Sequence, residues 1–247
     1  MKNTIKKNFN RATSTYNEVD DIQKKSSSIL IENFNSFSEN FIPNKILDIG
    51  CGTGNLTDIL LKYFINSTYY LNDISESMLN FTKNKYKKYH NFYYELDDIE
   101  SIKLSNDYDL IASNLCLQWV CDLEKCIKKL FNQSKFLAIS ILLEETFSSW
   151  SKVLEKYDIH GAIKKYPSID YIKKIINKLN PEKYHISTKS FNINFENNVS
   201  IMKYLQKLGA NTAHYNKRNN IKNIKNLISD KSSCILNYNI AYLVIKK

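Results

Sequence analysis

Residues 45–54 read Lys45-Ile46-Leu47-Asp48-Ile49-Gly50-Cys51-Gly52-Thr53-Gly54. An apolar run closes on an acid, and three glycines follow at alternate positions. Beyond them Leu56, Ile59, Leu60 and Tyr63 recur at helical spacing. The order predicts a strand, a tight glycine turn and the start of a helix. Such a turn lies at the C-terminal edge of a parallel sheet, where the backbone can approach a nucleotide closely. Three of the chain's 5 glycines fall in this one turn, which argues against a turn with no ligand.

The spacing is GxGxG, not the GxGxxG of dinucleotide sites, and no P-loop lysine follows the last glycine. Pyrophosphate and triphosphate are both disfavoured. A second acid, Asp73, follows the apolar run Tyr69-Tyr70-Leu71, where a carboxylate can accept from both ribose hydroxyls. Asp48, the three glycines and a ribose acid together resemble the S-adenosylmethionine site of class I methyltransferases. That resemblance implies a Rossmann-like α/β fold and an acid near adenine. Asp98, after the strand-like Phe92–Leu96, suits the second role, and its neighbour Asp97 stays open as the alternative.

Strand character recurs at 45–50, 68–73, 91–96, 108–115 and 135–142, with helical periodicity at 54–64, 75–89 and 122–132. Alternation of this kind predicts a parallel sheet covered by helices on both faces. Residues 1–41 read as helices ahead of the first strand. After Leu143 the pattern turns helical, then returns to strand at 184–195, helix at 197–208 and 221–229, and strand at 233–245. The expectation is one domain over 1–247, with N-terminal helices to 41 and a cofactor-binding core over 42–143. A helical lid over 144–182 and a C-terminal part over 183–247 complete it. The sheet should have seven strands, mostly parallel, the last one antiparallel.

The chain has 247 residues, 35 Lys+Arg against 25 Asp+Glu, and a net charge of +10. A basic balance favours acidic partners by long-range steering. Arginine occurs only at Arg11 and Arg218, so phosphate binding would lean on lysine. There is no N/D-P-P-Y motif and no cysteine in a P-C context, which disfavours a nucleic-acid methyltransferase. The five cysteines are odd in number and form no CxxC pair. They fit a reducing cytoplasm, not a disulfide framework or a metal site. No run approaches the ~20 apolar residues of a membrane span, and none has the apolar stretch of a signal peptide.

Four further segments resemble the family of malonyl-acyl-carrier-protein O-methyltransferases of biotin synthesis. They are Phe9-Asn10-Arg11-Ala12-Thr13-Ser14-Thr15-Tyr16 with the later Gln23, and Ser113-Asn114-Leu115-Cys116-Leu117-Gln118-Trp119. Leu205-Gln206-Lys207-Leu208-Gly209-Ala210 and Leu236-Asn237-Tyr238 complete the set. Two segments depart from the family. The lid stretch around His160 lacks the family's arginine, and Asn132-Gln133-Ser134-Lys135 replaces its P-G-G.

The resemblance implies methyl transfer from S-adenosylmethionine to the free carboxylate of a malonyl thioester. The acceptor would be carried on acyl carrier protein or on CoA. The alternative is another small carboxylate or a quinone precursor, and a cofactor-binding scaffold with no transfer is a further rival. The resemblance places Tyr16, Gln23, Asp48, Gly50, Gly52, Gly54, Asp73, Ile74, Met78, Asp98, Ile99, Asn114 and Leu115 at the cofactor. Tyr16, Gln118, Trp119 and His160 are candidates for positioning the acceptor. Lys152, Lys156, Lys164, Lys165, Lys173 and Lys174 would form a basic rim for the acidic carrier. Neither nucleic acid nor membrane is expected as a partner, and the chain is expected to act as a monomer.

Overall fold

The computed structural model describes residues 2–39, 41–104, 107–159, 163–210 and 220–247. Two helices, α1 (Lys2–Ala12) and α2 (Asp21–Phe37), precede the first strand. Then β1 (Lys45–Ile49), α3 (Asn55–Tyr63), β2 (Thr68–Asp73), α4 (Glu76–Lys85) and β3 (Phe92–Leu96) alternate. They are followed by β4 (Tyr108–Asn114), α5 (Leu123–Asn132), β5 (Ser134–Leu142), α6 (Ser148–Lys156) and α7 (Ile169–Leu179). The chain closes with β6 (Lys183–Phe195), α8 (Asn198–Lys207), α9 (Ile221–Ser229) and β7 (Cys234–Lys246). Among the described residues no helix is long and apolar enough to cross a membrane.

The seven strands lie in the order β3-β2-β1-β4-β5-β7-β6. β7 runs antiparallel to both β5 and β6, and the other paired strands are parallel. The strand order reverses between β1 and β4, and there the crevice outside the carboxyl ends of the strands opens. Alternate residues of the central strands feed two separate cores. Ile46, Leu110, Ala112 and Phe136 pack with α2 and α3 on one face. Leu47, Ile111, Leu137 and Ile139 pack with α5 and α7 on the other. A sheet buried on both faces needs apolar residues of both parities, which is why these strands read as continuous apolar runs.

Two elements differ from their sequence expectation. The helix expected over 75–89 stops at Lys85. Tyr86 turns inward, and its hydroxyl meets the Gly54 carbonyl at 2.9 Å and Asp58 Oδ1 at 2.7 Å. The expected lid segment divides in function. Ile172, Ile175 and Ile176 of α7 are buried in the second core beside α5, so this helix belongs to the scaffold. Amphipathic periodicity alone cannot separate a lid helix from a crossover helix, because both bury one face.

Candidate functional site

The turn after β1 is built by backbone conformation. Gly50 N and Cys51 N both donate to the Asn72 carbonyl, at 2.8 and 3.0 Å, which ties the turn to the end of β2. Gly50 has φ +66°, and a Cβ there would lie 2.2 Å from Cys116 Sγ. Gly52 N donates to Asp73 Oδ2 at 2.9 Å, and Ser75 N donates to Asp73 Oδ1 at 2.7 Å. Burial pushes the Asp73 carboxyl up to about 6, while the Ser75, Gly52 and Ile74 N–H groups pull against that rise. The carboxylate is therefore held in place by the turn it faces.

A cavity opens above this turn. Gly50, Gly52, Asp73, Ile74, Met78, Asp98, Ile99, Asn114, Leu115 and Tyr16, all candidates from the sequence, line it together. Asp97 lines it too. Three candidates stand apart from it. Gln23 borders two smaller spaces instead. Asp48 lies behind the turn, 1% exposed, with Oδ2 accepting from Thr57 Oγ1 at 2.6 Å. Gly54 is the left-handed cap of α3, and a Cβ there would meet the Tyr86 hydroxyl at 2.4 Å. Asp48 and Gly54 build the turn and do not line the cavity. His160 lies outside the described residues.

Burial pushes the Asp48 carboxyl up to about 7. The folded chain holds that proton more tightly than the unfolded chain, whose aspartates titrate near ~4. Folding is therefore favoured by this group at low pH, and that contribution is lost as the pH rises from about 4 towards about 7. Asp48→Asn should remove this part of the pH dependence. Urea unfolding at about pH 4.5 and about pH 7.5 checks it: the variant should gain on the parent protein by about 1–3 kcal/mol between the two. An unchanged difference would mean that Asp48 is ionised in the fold.

The cap over the cavity is α1; the sequence pointed to the N-terminal helices closing the site through Tyr16 and Gln23, but not to the residues of α1 that cover it. Lys2, Ile5 and Phe9 line the cavity from above. Lys2 Nζ reaches Asp98 Oδ1 at 3.0 Å and Glu100 Oε2 at 2.5 Å. Asn10 Oδ1 accepts from Ser75 Oγ at 2.6 Å and Ser77 N at 3.2 Å, at the start of α4. The spacing of Ile5, Phe9 and Ala12 is that of one helix face, and only the fold shows what that face covers. Gly209, in the segment Leu205–Ala210, seats this helix. Its φ is +70°, and a Cβ would lie 3.1 Å from Ala12 Cβ and 3.1 Å from the Phe9 ring. Gly209→Ala should therefore loosen α1. Faster amide hydrogen exchange over residues 2–12, with β1 and β4 still protected, is the expected result.

A second, smaller cavity adjoins the first. Phe9, Tyr16, Leu115 and Trp119 line both. Its remaining wall includes Gln23, Gln118, Phe147, Tyr166 and Tyr238, and none of its described lining residues is a Lys, Arg or His. Leu115 takes a left-handed backbone (φ 49°), uncommon for a bulky residue. Its N–H is held by Ser140 Oγ at 3.0 Å. Asn114 is locked beside it, with Oδ1 accepting from Ser26 and Ser140 hydroxyls, both at 2.7 Å, and Nδ2 donating to the Gln23 carbonyl at 3.0 Å. Phe9 and Trp119 meet edge to face at 5.7 Å.

A third small recess lies against the glycine turn, lined by Tyr16, Gln23, Gly50, Gly52, Thr53, Asn55 and Asn114 among others. Gln23 Oε1 and Thr53 Oγ1 are buried there without a partner. Tyr16 borders all three spaces. Burial, with Asp20 and Asp73 nearby, pushes its phenol above the ordinary range, so it stays an O–H donor and not a base. Cys51 lies buried in the turn, and Cys116 lies half-buried beside it. Burial pushes the Cys51 and Cys116 thiols up, away from the reactive thiolate.

A family model described as a methyltransferase domain matches residues 43–183. The malonyl-[acyl-carrier protein] O-methyltransferase 1 of Ilyobacter polytropus is 27% identical over 267 residues, covering 100% of this chain and 95% of that protein. The malonyl-[acyl-carrier protein] O-methyltransferase of Neorickettsia risticii is 28% identical, over 83% of this chain and 80% of its own length. Among solved structures, the plantazolicin methyltransferase BpumL in complex with SAH aligns with a TM-score of 0.58 at 17% identity, covering 96% of this chain and 89% of that one. The YcgJ protein of Bacillus subtilis aligns with a TM-score of 0.61 at 13% identity, covering 88% of this chain and 98% of that one. At such identities these structures speak for the fold.

Proposed function

The chain belongs to the methyltransferase-domain family, and from that premise we propose that it methylates the free carboxylate of malonyl-acyl-carrier protein. The pairing of a donor cavity and an acceptor chamber across the shared wall of Phe9, Tyr16, Leu115 and Trp119 carries this reading. The relatives named for that reaction, matching the chain end to end, supply the substrate. The product, a malonyl methyl ester, would prime biotin synthesis. A cytoplasmic setting goes with the unpaired cysteines.

The residues present fit S-adenosylmethionine. Asp73 would accept from the ribose hydroxyls, with its geometry set in advance by Gly52 and Ser75. Gln23 Oε1 and Thr53 Oγ1, buried acceptors in need of a donor, would meet the methionine ammonium. Ile74, Met78, Ile99 and one of Asp97 and Asp98 would surround adenine. When bound, the cofactor supplies an electrophilic methyl on a sulfonium.

The chain's own work is placement and the exclusion of water. A carboxylate with a reference pKa near ~4 is ionised at neutral pH and needs no general base. Holding it in line is where the gain lies, up to roughly 7–11 kcal/mol for well-oriented reactants. The aromatic wall of the chamber, to which α1 contributes Phe9, would exclude water around the reacting groups. There the approach of opposite charges is strengthened, and their neutralisation is not opposed by hydration. Tyr16 and Tyr166 offer phenol hydroxyls to the carboxylate. Burial keeps both protonated.

Incubation with malonyl-acyl-carrier protein and methyl-labelled S-adenosylmethionine tests the reading. One methyl group should appear on the carrier protein by mass spectrometry, and none when acetyl-carrier protein replaces it. No transfer by a protein that still binds cofactor would redirect the search to free carboxylic acids and quinone precursors.

A further inference from the structure

Gln118 is 8% exposed, and its side chain is only half satisfied. Nε2 donates to the Leu115 carbonyl at 2.6 Å. Oε1 is buried and has no partner. The orientation is fixed by chemistry, because the Leu115 carbonyl needs a donor and only the NH₂ end supplies one. The main-chain carbonyl of Gln118 is taken as well, by the Lys164 ammonium, which also lies 5.7 Å over the Trp119 ring. An acceptor buried this way costs free energy until a donor arrives.

Position says where the donor must come from. Gln118 does not line the cofactor cavity. It lines the acceptor chamber, and with Tyr166 it also lines an open surface groove that holds Lys164 and Lys165. Gln118 and Tyr166 line both spaces, so a substrate that reaches the chamber from the groove would pass these two residues. The malonate end is ionised at neutral pH and carries no hydrogen-bond donor. The N-acylated aminoethanethiol that bears it does, two carbons from the sulfur.

Resting on the function proposed above, we infer that Gln118 Oε1 accepts a hydrogen bond from the amide N–H of the thioester arm, so that Gln118 selects amide-bearing thioesters. Carrier protein and CoA share this arm. Gln118 is on this account a positioning residue that sets where the thioester stops.

The test compares two small substrates, the malonyl thioester of N-acetylcysteamine and its analogue with an ester oxygen in place of the N–H. The natural protein should favour the amide by at least about tenfold in kcat/KM. Gln118→Met should bring the two within about twofold of each other, with cofactor affinity by calorimetry unchanged. Malonyl-carrier protein and malonyl-CoA, run alongside, should lose the same factor, and the one with the larger kcat/KM is the natural bearer.

Equal use of amide and ester by the natural protein overturns the inference without reliance on any variant. So does a preference that survives in Gln118→Met, or a loss confined to carrier protein. Absence of transfer to every malonyl thioester is a different result, and it overturns the proposed function together with this inference.

Discussion

Gly50→Ala is expected to abolish cofactor binding and to destabilise the fold. The position combines φ +66° with a Cβ that would lie 2.2 Å from Cys116 Sγ and 2.6 Å from Cys116 Cβ. The left-handed backbone costs an alanine about 1–2 kcal/mol. Forcing a methyl into a filled space adds about 1–3 kcal/mol. The sum is a large share of the roughly 5–15 kcal/mol that holds a domain together. Gly50 N and Cys51 N hang on the Asn72 carbonyl, so any shift of the turn is transmitted to the end of β2 and to Asp73. Urea unfolding and calorimetry with S-adenosylmethionine are the measurements. A second change, Cys116→Ala, should rescue little, because the Cβ of residue 116 remains in the way. Cofactor affinity equal to the natural protein's would show that the turn can relax without loss.

Asp73→Ala comes next in expected effect. A hydrogen bond to a charged acceptor contributes about 1.5–3 kcal/mol, so losing two ribose contacts should weaken S-adenosylmethionine binding by about 10²–10⁴-fold. The Gly52 and Ser75 N–H groups would also lose their acceptor. Asp73→Asn keeps an acceptor of the same size and should fall between the two. Burial pushes the carboxyl up to about 6. Affinity for cofactor should therefore decline as the pH drops through that value in the natural protein and stay level in the Asn variant. Calorimetry across that range reads both effects. A flat profile in the natural protein, or an Ala variant that binds normally, would remove Asp73 from the cofactor site.

Gly50 and Gly209 act at different levels. Gly50 shapes the floor of the cavity, and Gly209 seats the helix that roofs it. Both sit in stretches that stand out in the sequence, yet only Gly50 could be assigned a task from spacing. Gly209 is 159 positions further along, and its contact with Ala12 and Phe9 exists only once α8 and α1 have been brought together.

The strand–turn–helix unit at 45–63, the alternation that makes a parallel sheet and the acid at Asp73 were all legible along the chain. These are local facts: a period of two or of 3.6 residues, a backbone that demands glycine, an acid at the end of an apolar run. Most of the residues grouped at the cofactor from sequence also share one cavity wall. Residues at the carboxyl ends of adjacent parallel strands must converge on one edge.

Properties that depend on packing between distant segments were not legible in this way. Asp48 stands in the motif, but its side chain points behind the turn to Thr57. Gly54 serves Tyr86, and α7 was absorbed into the core. The roof of Lys2, Ile5 and Phe9 and the unpartnered oxygen of Gln118 belong to the same class. An amphipathic helix records that one of its faces is buried and not what it is buried against. A glutamine records its two polar ends and not which of them is satisfied. Those choices were made by tertiary packing, through contacts between residues far apart along the chain.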